Sequence, residues 1–565
     1  MAVRYLTSGV DRFAFDAASD TVRGFAAQLL ATDLIEGGDG GGRDWLLFYD
    51  SVALDFRAGG NASGLSGFEQ LFLANAANSV ILTDAFVAGA WRGTGSAGYF
   101  TITGNDGNDS IDASLVGAGR RVAFVAGKGN DQFIGGAGND IVWFAPSALT
   151  AADSIHGGAG TDAIAFSSAG HIAQSGFQNV RGVERILLHQ TGNSLVLDEP
   201  MVASATGGFA VIGGAGYDWV DASHLASAVG FTPGGGDDLF LGGAGNDQIN
   251  IAIADLTAGD RFDGGGGRDR IGFLSAGTIT QAMLSGLSSI ETLSLSSAGA
   301  NDVTLGTNLV DVNVAGGSGA DTVRLALSTQ YASLGAGDDT LIVRASSVPA
   351  LSSYGKEGFD TIQTVGGGTF TIGAGIVEFE QIVMQDAATL DLTATVMALS
   401  VVGSGGNDTI RLGSLAQSVS AGGGNDTILF NALPAQAHTI TGFTAGGAED
   451  RFAFKAQLFS IANGQASVVI ATDNSAGGVI AAGVDLVVRA GLADAAAVDA
   501  YLSGAAGSPA GGVLVLTQAA PGGPIGLYYD QSASQAGGAS QPFVLAMISG
   551  VAGLDAFTAA DFIFV

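Results

Sequence analysis

The chain has no cysteine among its 565 residues, only three lysines (Lys128, Lys356 and Lys455) and five histidines. Disulfides are therefore absent from its cross-linking. So few lysines leave no basic stripe to neutralise phosphates, which excludes nucleic acid and anionic membrane surfaces as partners. The histidines, His156, His171, His189, His224 and His438, form no HExxH and no pair with zinc-ligand spacing, so a zinc protease is disfavoured. No GxSxG elbow occurs, and neither Gly-Lys pair is followed by the Ser or Thr of a phosphate loop. No apolar run approaches the eighteen or so residues of a membrane-spanning helix. The first residues, Met1 to Tyr5, lack the basic region and apolar block of a Sec-type leader, so none is expected.

What is present is equally skewed. There are 91 glycines, the formal net charge is −32, and 53 acidic residues include only nine glutamates, leaving 53 − 9 = 44 aspartates. Glu is the better helix former, so the Asp excess answers a local need. Apolar residues at 47% and charged ones at 13% describe a chain that buries a core. So acidic a surface attracts cations.

Gly and Asp cluster in repeated units: GKGNDQF (127–133), GGAGNDIV (135–142), GGAGTDAI (157–164), GGAGYDWV (213–220), GGGDDLF (234–240), GGAGNDQI (242–249) and GGGRDRI (265–271). GGSGADTV (316–323), GAGDDTL (335–341), GSGGNDTI (403–410) and GGGNDTI (422–428) continue the series, and Asp44, Asp109, Asp360 and Asp450 sit in more degenerate copies. Two residues after each of these aspartates stands a large apolar residue, from Leu46 and Ile111 through Phe133, Val142 and Ile164 to Ile428 and Phe452. Asp131 to Asp140 and Asp238 to Asp247 are nine apart, and Asp321 to Asp339 and Asp408 to Asp426 eighteen, which reads as half a coil and a full coil. Units 20 to 24 residues apart imply longer coils. Asp131, Asp140 and Asp162 recur 107 residues later as Asp238, Asp247 and Asp269, and an anchor of the form F/V/I-E-x-L/I recurs at Glu69, Glu184, Glu291 and Glu380.

Turn-forming Gly, Asn and Asp alternate with short runs of Val, Ile, Leu, Phe and Thr, which predicts strands of four to seven residues stacked as parallel coils about 4.8 Å apart. Helical windows are few, the best at 489–503 and 23–34. In one unit, G-G-x-G-x-D-x-U-x, the glycines let main-chain carbonyls turn toward one point and the Asp sets a carboxylate beside them. Calcium takes about six to eight oxygens from carboxylates and carbonyls together, so one turn supplies half a shell and the turn one coil away the rest. The opposing interpretation is a metal-free tight turn, for which Asp is also suited. Stacked like charges one coil apart favour the bridging dication.

Over about residues 36–450 these units resemble the nonapeptide repeats of the repeats-in-toxin (RTX) proteins, whose parallel β-roll binds calcium. The resemblance implies Ca2+ ligands at Asp131, Asp140, Asp162, Asp218, Asp238, Asp247, Asp269, Asp321, Asp339, Asp408 and Asp426. It also implies carbonyl oxygens from adjacent residues such as Gly129, Asn130, Gly138, Asn139, Gly245, Asn246, Gly424 and Asn425. TGFTAGGAEDRFAF (441–454) resembles the unit that closes such arrays, and GLYYDQSA (526–533) with the C-terminal Asp561, Phe562, Ile563, Phe564 and Val565 resembles a tail read by type I secretion machinery.

The expected architecture is all-β: an elongated parallel β-roll or β-solenoid, with degenerate repeats over 1–99, the RTX array over 100–450 and a β-rich secretion-target region over 451–565. No room is left for a catalytic domain, so a non-enzyme is expected. A Lys-poor, calcium-rigidified scaffold resembles RTX-bearing surface-layer proteins of Gram-negative bacteria. That implies a secreted, self-associating structural protein of the cell surface, with surface polysaccharide a further candidate partner. Two other classes fit the same features: a calcium-dependent adhesin, and a polysaccharide-active enzyme with its site on the solenoid face.

Overall fold

In the computed structural model the described residues are all except 1, 16–18, 38–42, 91–97, 349–351, 447–448, 456–469, 473–485, 505–511 and 532–541. The chain is mostly strand, with 7% helix, wound into a parallel β-solenoid of about 20 turns. It divides into two compact units, Met1–Leu274 with Ala282–Leu293, and Ser275–Gln281 with Ser294–Val565. Within each, short strands pair in parallel with the coil before and the coil after, and strand residues alternate between a core and an outward face.

The apolar residue two after each repeat Asp begins that core. Leu46, Ile111, Phe133, Val142, Ile164, Val220, Phe240, Ile249, Ile271, Val323, Leu341, Ile362, Ile410, Ile428 and Phe452 are each no more than 2% exposed. They meet in register from coil to coil, as in Ile111↔Phe133↔Ile155 and Val220↔Phe240↔Phe262. Rings from facing sheets stack across the interior, Phe231 on Phe240 at 5.5 Å and Phe124 on Phe133 at 6.0 Å. Burying side chains of this size is worth roughly 1.5–3 kcal/mol each, and a coil alone could cover none of them.

The coils are not uniform in length or in number of sides. Most contribute two strands, but between Trp45–Phe48 and Gln70–Phe72 the chain makes two further ones. Ala53–Asp55 pairs forward with Ser79–Ile81, and Leu65–Ser66 pairs back with Leu34–Glu36. The same device recurs where Gly170–Ile172 pairs forward with Asn193–Val196 and Val180–Arg181 pairs back with Ser154–His156. In the second unit Thr369–Thr371 opens a sheet and Ile376–Val377 closes one. At each three-sided coil one sheet ends and another starts, and each is followed by one of the anchor glutamates.

Those glutamates have a definite task. Both the N–H of Glu184 and that of Arg185 donate to Asp162 O, so two residues oppose one, as in a bulge. The Glu side chain, one methylene longer than Asp, spans the widened step: Asp162 N–H donates to Glu184 Oε2 at 2.9 Å and Thr206 N–H to Oε1 at 2.9 Å. Glu69, Glu291 and Glu380 accept the N–H of Asp44, Asp269 and Asp360 in the same way.

The C-terminal segment is β-rich. Phe543–Ile548 pairs in parallel with His438–Thr441, and Ile525–Asp530 and Val513–Gln518 follow it as antiparallel strands. Phe562–Phe564 pairs with Arg451–Phe454. Both open edges of the last coil are thereby covered, which blunts edge-to-edge aggregation. The helix Ala495–Gly504 packs Val498, Tyr501 and Leu502 against Val487, Val513 and Tyr528. The second expected helix, 23–34, is absent: strands Thr21–Gly24 and Leu34–Glu36 flank one 3-10 turn at Ala26–Gln28. Coil-to-coil pairing of Val22 and Ile35 overrode a local helical pattern.

Glu184→Ala leaves the buried Asp162 N–H and the part-buried Thr206 N–H without their acceptor and is expected to lower stability in calcium by on the order of 2 kcal/mol. Glu184→Gln, which keeps one carbonyl acceptor, should lose less. A denaturant midpoint for Glu184→Ala equal to the parent's would show that the anchor is dispensable.

Candidate calcium sites

All eleven aspartates of the regular repeats lie at coil corners and are at most 2% exposed. A buried carboxylate is costly unless it is bonded or paired, so the partners of its two oxygens decide its role. One oxygen of each is taken by the main chain of the preceding coil. Asp140 N–H donates to Asp162 Oδ1 at 2.7 Å, Asp218 N–H to Asp238 Oδ1 at 2.8 Å, Asp247 N–H to Asp269 Oδ1 at 2.7 Å, and Asp408 N–H to Asp426 Oδ1 at 2.8 Å. The bonds form ladders. One climbs from Val122 N–H through Asp140 and Asp162 to Glu184, and its copy from Val229 N–H through Asp247 and Asp269 to Glu291. Another runs from Asn301 through Asp321, Asp339 and Asp360 to Glu380.

The second oxygen separates the aspartates into two groups. In Asp140, Asp218, Asp247, Asp321 and Asp408, Oδ2 accepts the N–H of the residue four back, Gly136, Gly214, Gly243, Gly317 or Ser404, at 2.7–3.0 Å. In Asp131, Asp162, Asp238, Asp269, Asp339 and Asp426, Oδ2 is buried with no hydrogen-bond partner, and so are those of Asp109 and Asp360 in the degenerate copies. Backbone conformation makes the difference. In this second group the residue four back has positive φ, for example Gly127 at 82°, Gly158 at 103° and even Lys356 at 88°, and its N–H does not serve the carboxyl. A first-group turn precedes a second-group turn in each of these ladders: Asp140 before Asp162, Asp218 before Asp238, Asp247 before Asp269, Asp321 before Asp339 and Asp408 before Asp426.

At Asp109, Asp162, Asp269 and Asp360 a glycine stands five residues before the Asp, where Asp131, Asp238, Asp339 and Asp426 have Ala126, Pro233, Leu334 and Ala421. A Cβ at Gly157 would stand 1.9 Å from Gly182 O and 2.6 Å from Asp162 Oδ2; at Gly264 it would stand 2.1 Å from Ser289 O and 2.6 Å from Asp269 Oδ2. At Asp162 and Asp269 a carboxylate oxygen and a carbonyl of the next coil thus share a space that a side chain would fill. Among the described residues no three His, Asp or Glu side chains converge, so main-chain carbonyls must provide most of any shell. Unbonded anionic oxygen beside carbonyl oxygen, with no nitrogen or sulfur donor, suits calcium. When bound, the ion supplies the positive charge that these carboxylates lack and links one coil to the next.

The other expected residues fall around these corners. The side chains of Asn139 and Asn246 accept the N–H of Thr161 and Arg268 one coil on, while Asn130 N–H and Asn425 N–H donate to Asn108 and Asn407 one coil back. Gly129 and Gly424 have positive φ, at 144° and 105°, whereas Gly138 and Gly245 do not; at Gly138 a Cβ would lie 1.6 Å from Arg120 O.

Several ladder members carry no Gly-rich signature. Asp153, Asp260 and the C-terminal Asp561 each follow a Thr by three residues, in TAAD, TAGD and TAAD, and their Oδ2 accepts that Thr N–H at 2.6–2.7 Å. Their Oδ1 accepts from Asp131, Asp238 and Gly446. With both oxygens bonded, these corners have no anionic oxygen to offer a metal. The recurring T-A-x-D was the signal that could have revealed them. Asp11, Asp20 and Asp33 extend the ladders toward the N-terminus.

Burial first, and the carboxylate one coil away second, lift the unfilled corners far above the ordinary carboxylate range: Asp131, Asp238, Asp339 and Asp426 to about 7 and Asp162 to about 8. Burial raises Asp109 and Asp269 to about 6.

These features define a class, the calcium-binding β-roll. The family model for the RTX calcium-binding nonapeptide repeat matches the chain in four copies, at residues 94–115, 124–145, 147–168 and 234–250. The chain thus carries RTX repeats, and these bind calcium ions at multiple sites. No curated protein matches the chain.

Two outcomes follow from the unfilled oxygens. Their pKa values are raised on folding from about 3.9, so the folded chain binds the more protons, and metal-free stability should fall as pH rises from about 4 to about 8. The β-structure retained in chelator, read by circular dichroism at pH 5 and pH 7.5, checks this; more of it at pH 7.5 than at pH 5 would contradict it. Asp238→Asn, which keeps the Oδ1 acceptor and removes the charge, should raise stability in chelator yet reduce the stabilisation gained on adding calcium. A variant with the parent's calcium response would place no ion at Asp238.

Proposed function

We propose that the chain is a secreted structural protein of the bacterial cell surface that folds on calcium outside the cell and assembles with copies of itself into a layer. The observation carrying this reading is the recurrence of buried, unbonded carboxylate oxygens from Asp109 to Asp426, in both units. Calcium is then the element that holds the whole scaffold, not a switch at one site. At low cytosolic calcium the uncompensated corners favour the unfolded chain, as export through a type I channel requires; at extracellular calcium, binding becomes folding free energy. Proteins with RTX repeats are typically secreted, and the C-terminal Phe562–Phe564 pairs as a strand with Arg451–Phe454, so it takes up that place only once this partner strand is formed. In this reading the protein is not an enzyme.

Circular dichroism and light scattering on purified protein, titrated from chelator to about 10 mM calcium, test both parts. A coil-to-β transition followed by growth to large particles is expected. Folding without growth would refute the layer and leave the calcium roll; a fold already complete in chelator would refute calcium as its organiser.

A further inference from the structure

On the outward face of the first unit's long sheet, the strands Arg185–Leu187, Phe209–Ile212, Val229–Thr232 and Gln248–Ile251 lie side by side. Their first outward positions, in register, are Arg185, Ala210, Gly230 and Gln248. Two small residues between two long ones make a trough, about 14 Å from wall to wall at the usual strand spacing. A cavity of about 410 Å3 lies there, extended by Thr206, Gly207 and Gly208 at one end and by Asn246 and Asn250 beside Gln248. A Cβ at Gly207 or Gly208 would meet open space.

The unused hydrogen-bonding capacity of the walls is mostly donor. The exposed Arg185 guanidinium has no hydrogen bond or ion pair among the described residues, in a chain with 53 acidic groups. Asn246 Oδ1 already accepts from Arg268 N–H, and Asn250 Oδ1 from Gln248 Nε2, which leaves Nδ2 of both and Gln248 Oε1 outward. The one carboxylate in the lining, Glu184, is 5% exposed and has both oxygens bonded inward. From Gln70 to Gln248, no outward position of these paired strands carries an acid.

We propose that this trough binds a carboxylate-bearing saccharide, with Arg185 on the carboxylate and the amides of Asn246, Gln248 and Asn250 on hydroxyls. Hydroxyls both donate and accept, which suits an amide wall containing donors and one acceptor. A guanidinium pairs with a planar carboxylate through two parallel bonds. An extended peptide is the poorer fit, because the trough lies on a sheet face whose strands are paired on both sides, so no edge is open for strand addition. The inference stands apart from the layer reading.

Calorimetry of the full chain in calcium with oligogalacturonate, and with a neutral galactose oligomer of equal length, tests it. Binding of the acidic oligomer at least tenfold tighter than the neutral one is expected. Arg185→Gln and the near-isosteric Asn250→Asp should each weaken it tenfold or more, while Arg12→Gln, on another sheet, should leave it unchanged. Circular dichroism in calcium establishes that each variant is folded. No binding by the folded parent, equal affinity for both oligomers, or undiminished binding by Arg185→Gln would overturn the proposal, and none of these bears on whether calcium drives assembly.

Discussion

The fold depends on a carboxylate that is buried with one oxygen satisfied and the other not. Oδ1 of each ladder Asp stitches its coil to the main chain of the coil before, a neutral structural service that Asn could also perform. Oδ2 is what demands Asp. Where a left-handed turn holds the local N–H away, an anionic oxygen is buried unbonded, and at Asp162 and Asp269 it faces a carbonyl of the next coil across a space kept open by glycine. Without a cation that arrangement opposes folding; a bound cation would supply the charge it lacks. Among the described residues eight aspartates, from Asp109 to Asp426, repeat this corner and contribute to the Asp excess and the charge of −32.

The three kinds of corner differ in what they leave for a metal. Gly-rich turns with positive φ leave an oxygen free, Gly-rich turns without it satisfy both oxygens locally, and T-A-x-D corners satisfy both through Thr. The second kind precedes the first along a ladder, so an ion seated at Asp162 or Asp269 rests against a coil whose own carboxylate is already ordered. Glutamate ends ladders at Glu69, Glu184, Glu291 and Glu380, and T-A-x-D corners end those that reach Asp153 and Asp260. The coils thus alternate short stretches with unfilled carboxylate oxygens and corners whose carboxylates are fully bonded, and the three-sided coils fall where a Glu closes a stretch.

Much of this was legible because both signals are local. The repeat Asp and the apolar residue two later share one nonapeptide, so period alone gave the coil, the core and the candidate ligands. The roles of Glu184 and Asp153 were not legible in the same way, since each is defined by a partner 22 residues away and by main-chain geometry. Nine- and eighteen-residue spacings suggested short coils, yet the step between ladder partners is as often 20 to 22, as between Asp109 and Asp131, because extra residues loop out between strands without disturbing register. The helix expected at 23–34 failed for a related reason: Val22 and Ile35 bury to 1% exposure only as strands. Positive φ at Asn105 and Lys356 marks the copies at Asp109 and Asp360 as equivalent to the regular unfilled corners, whereas Asp450 has both oxygens bonded, a distinction that composition could not make.

The proposed saccharide trough and the calcium corners are neighbours in the chain, and that has a thermodynamic consequence. Thr161 and Asn246 line the trough and immediately precede Asp162 and Asp247. Thr161 N–H is held by Asn139, and Asn246 holds Arg268 N–H, so both trough residues belong to turns that span successive coils. An ion that orders the turn ending at Asp162 therefore also fixes one wall of the trough. By linkage, a ligand that requires that wall in place must bind more tightly with calcium present, and must raise the calcium affinity of the same corner by the same factor. In calcium-depleted surroundings the scaffold and its recognition surface would be lost together, so a single cation sets both where the protein folds and where it can hold a partner.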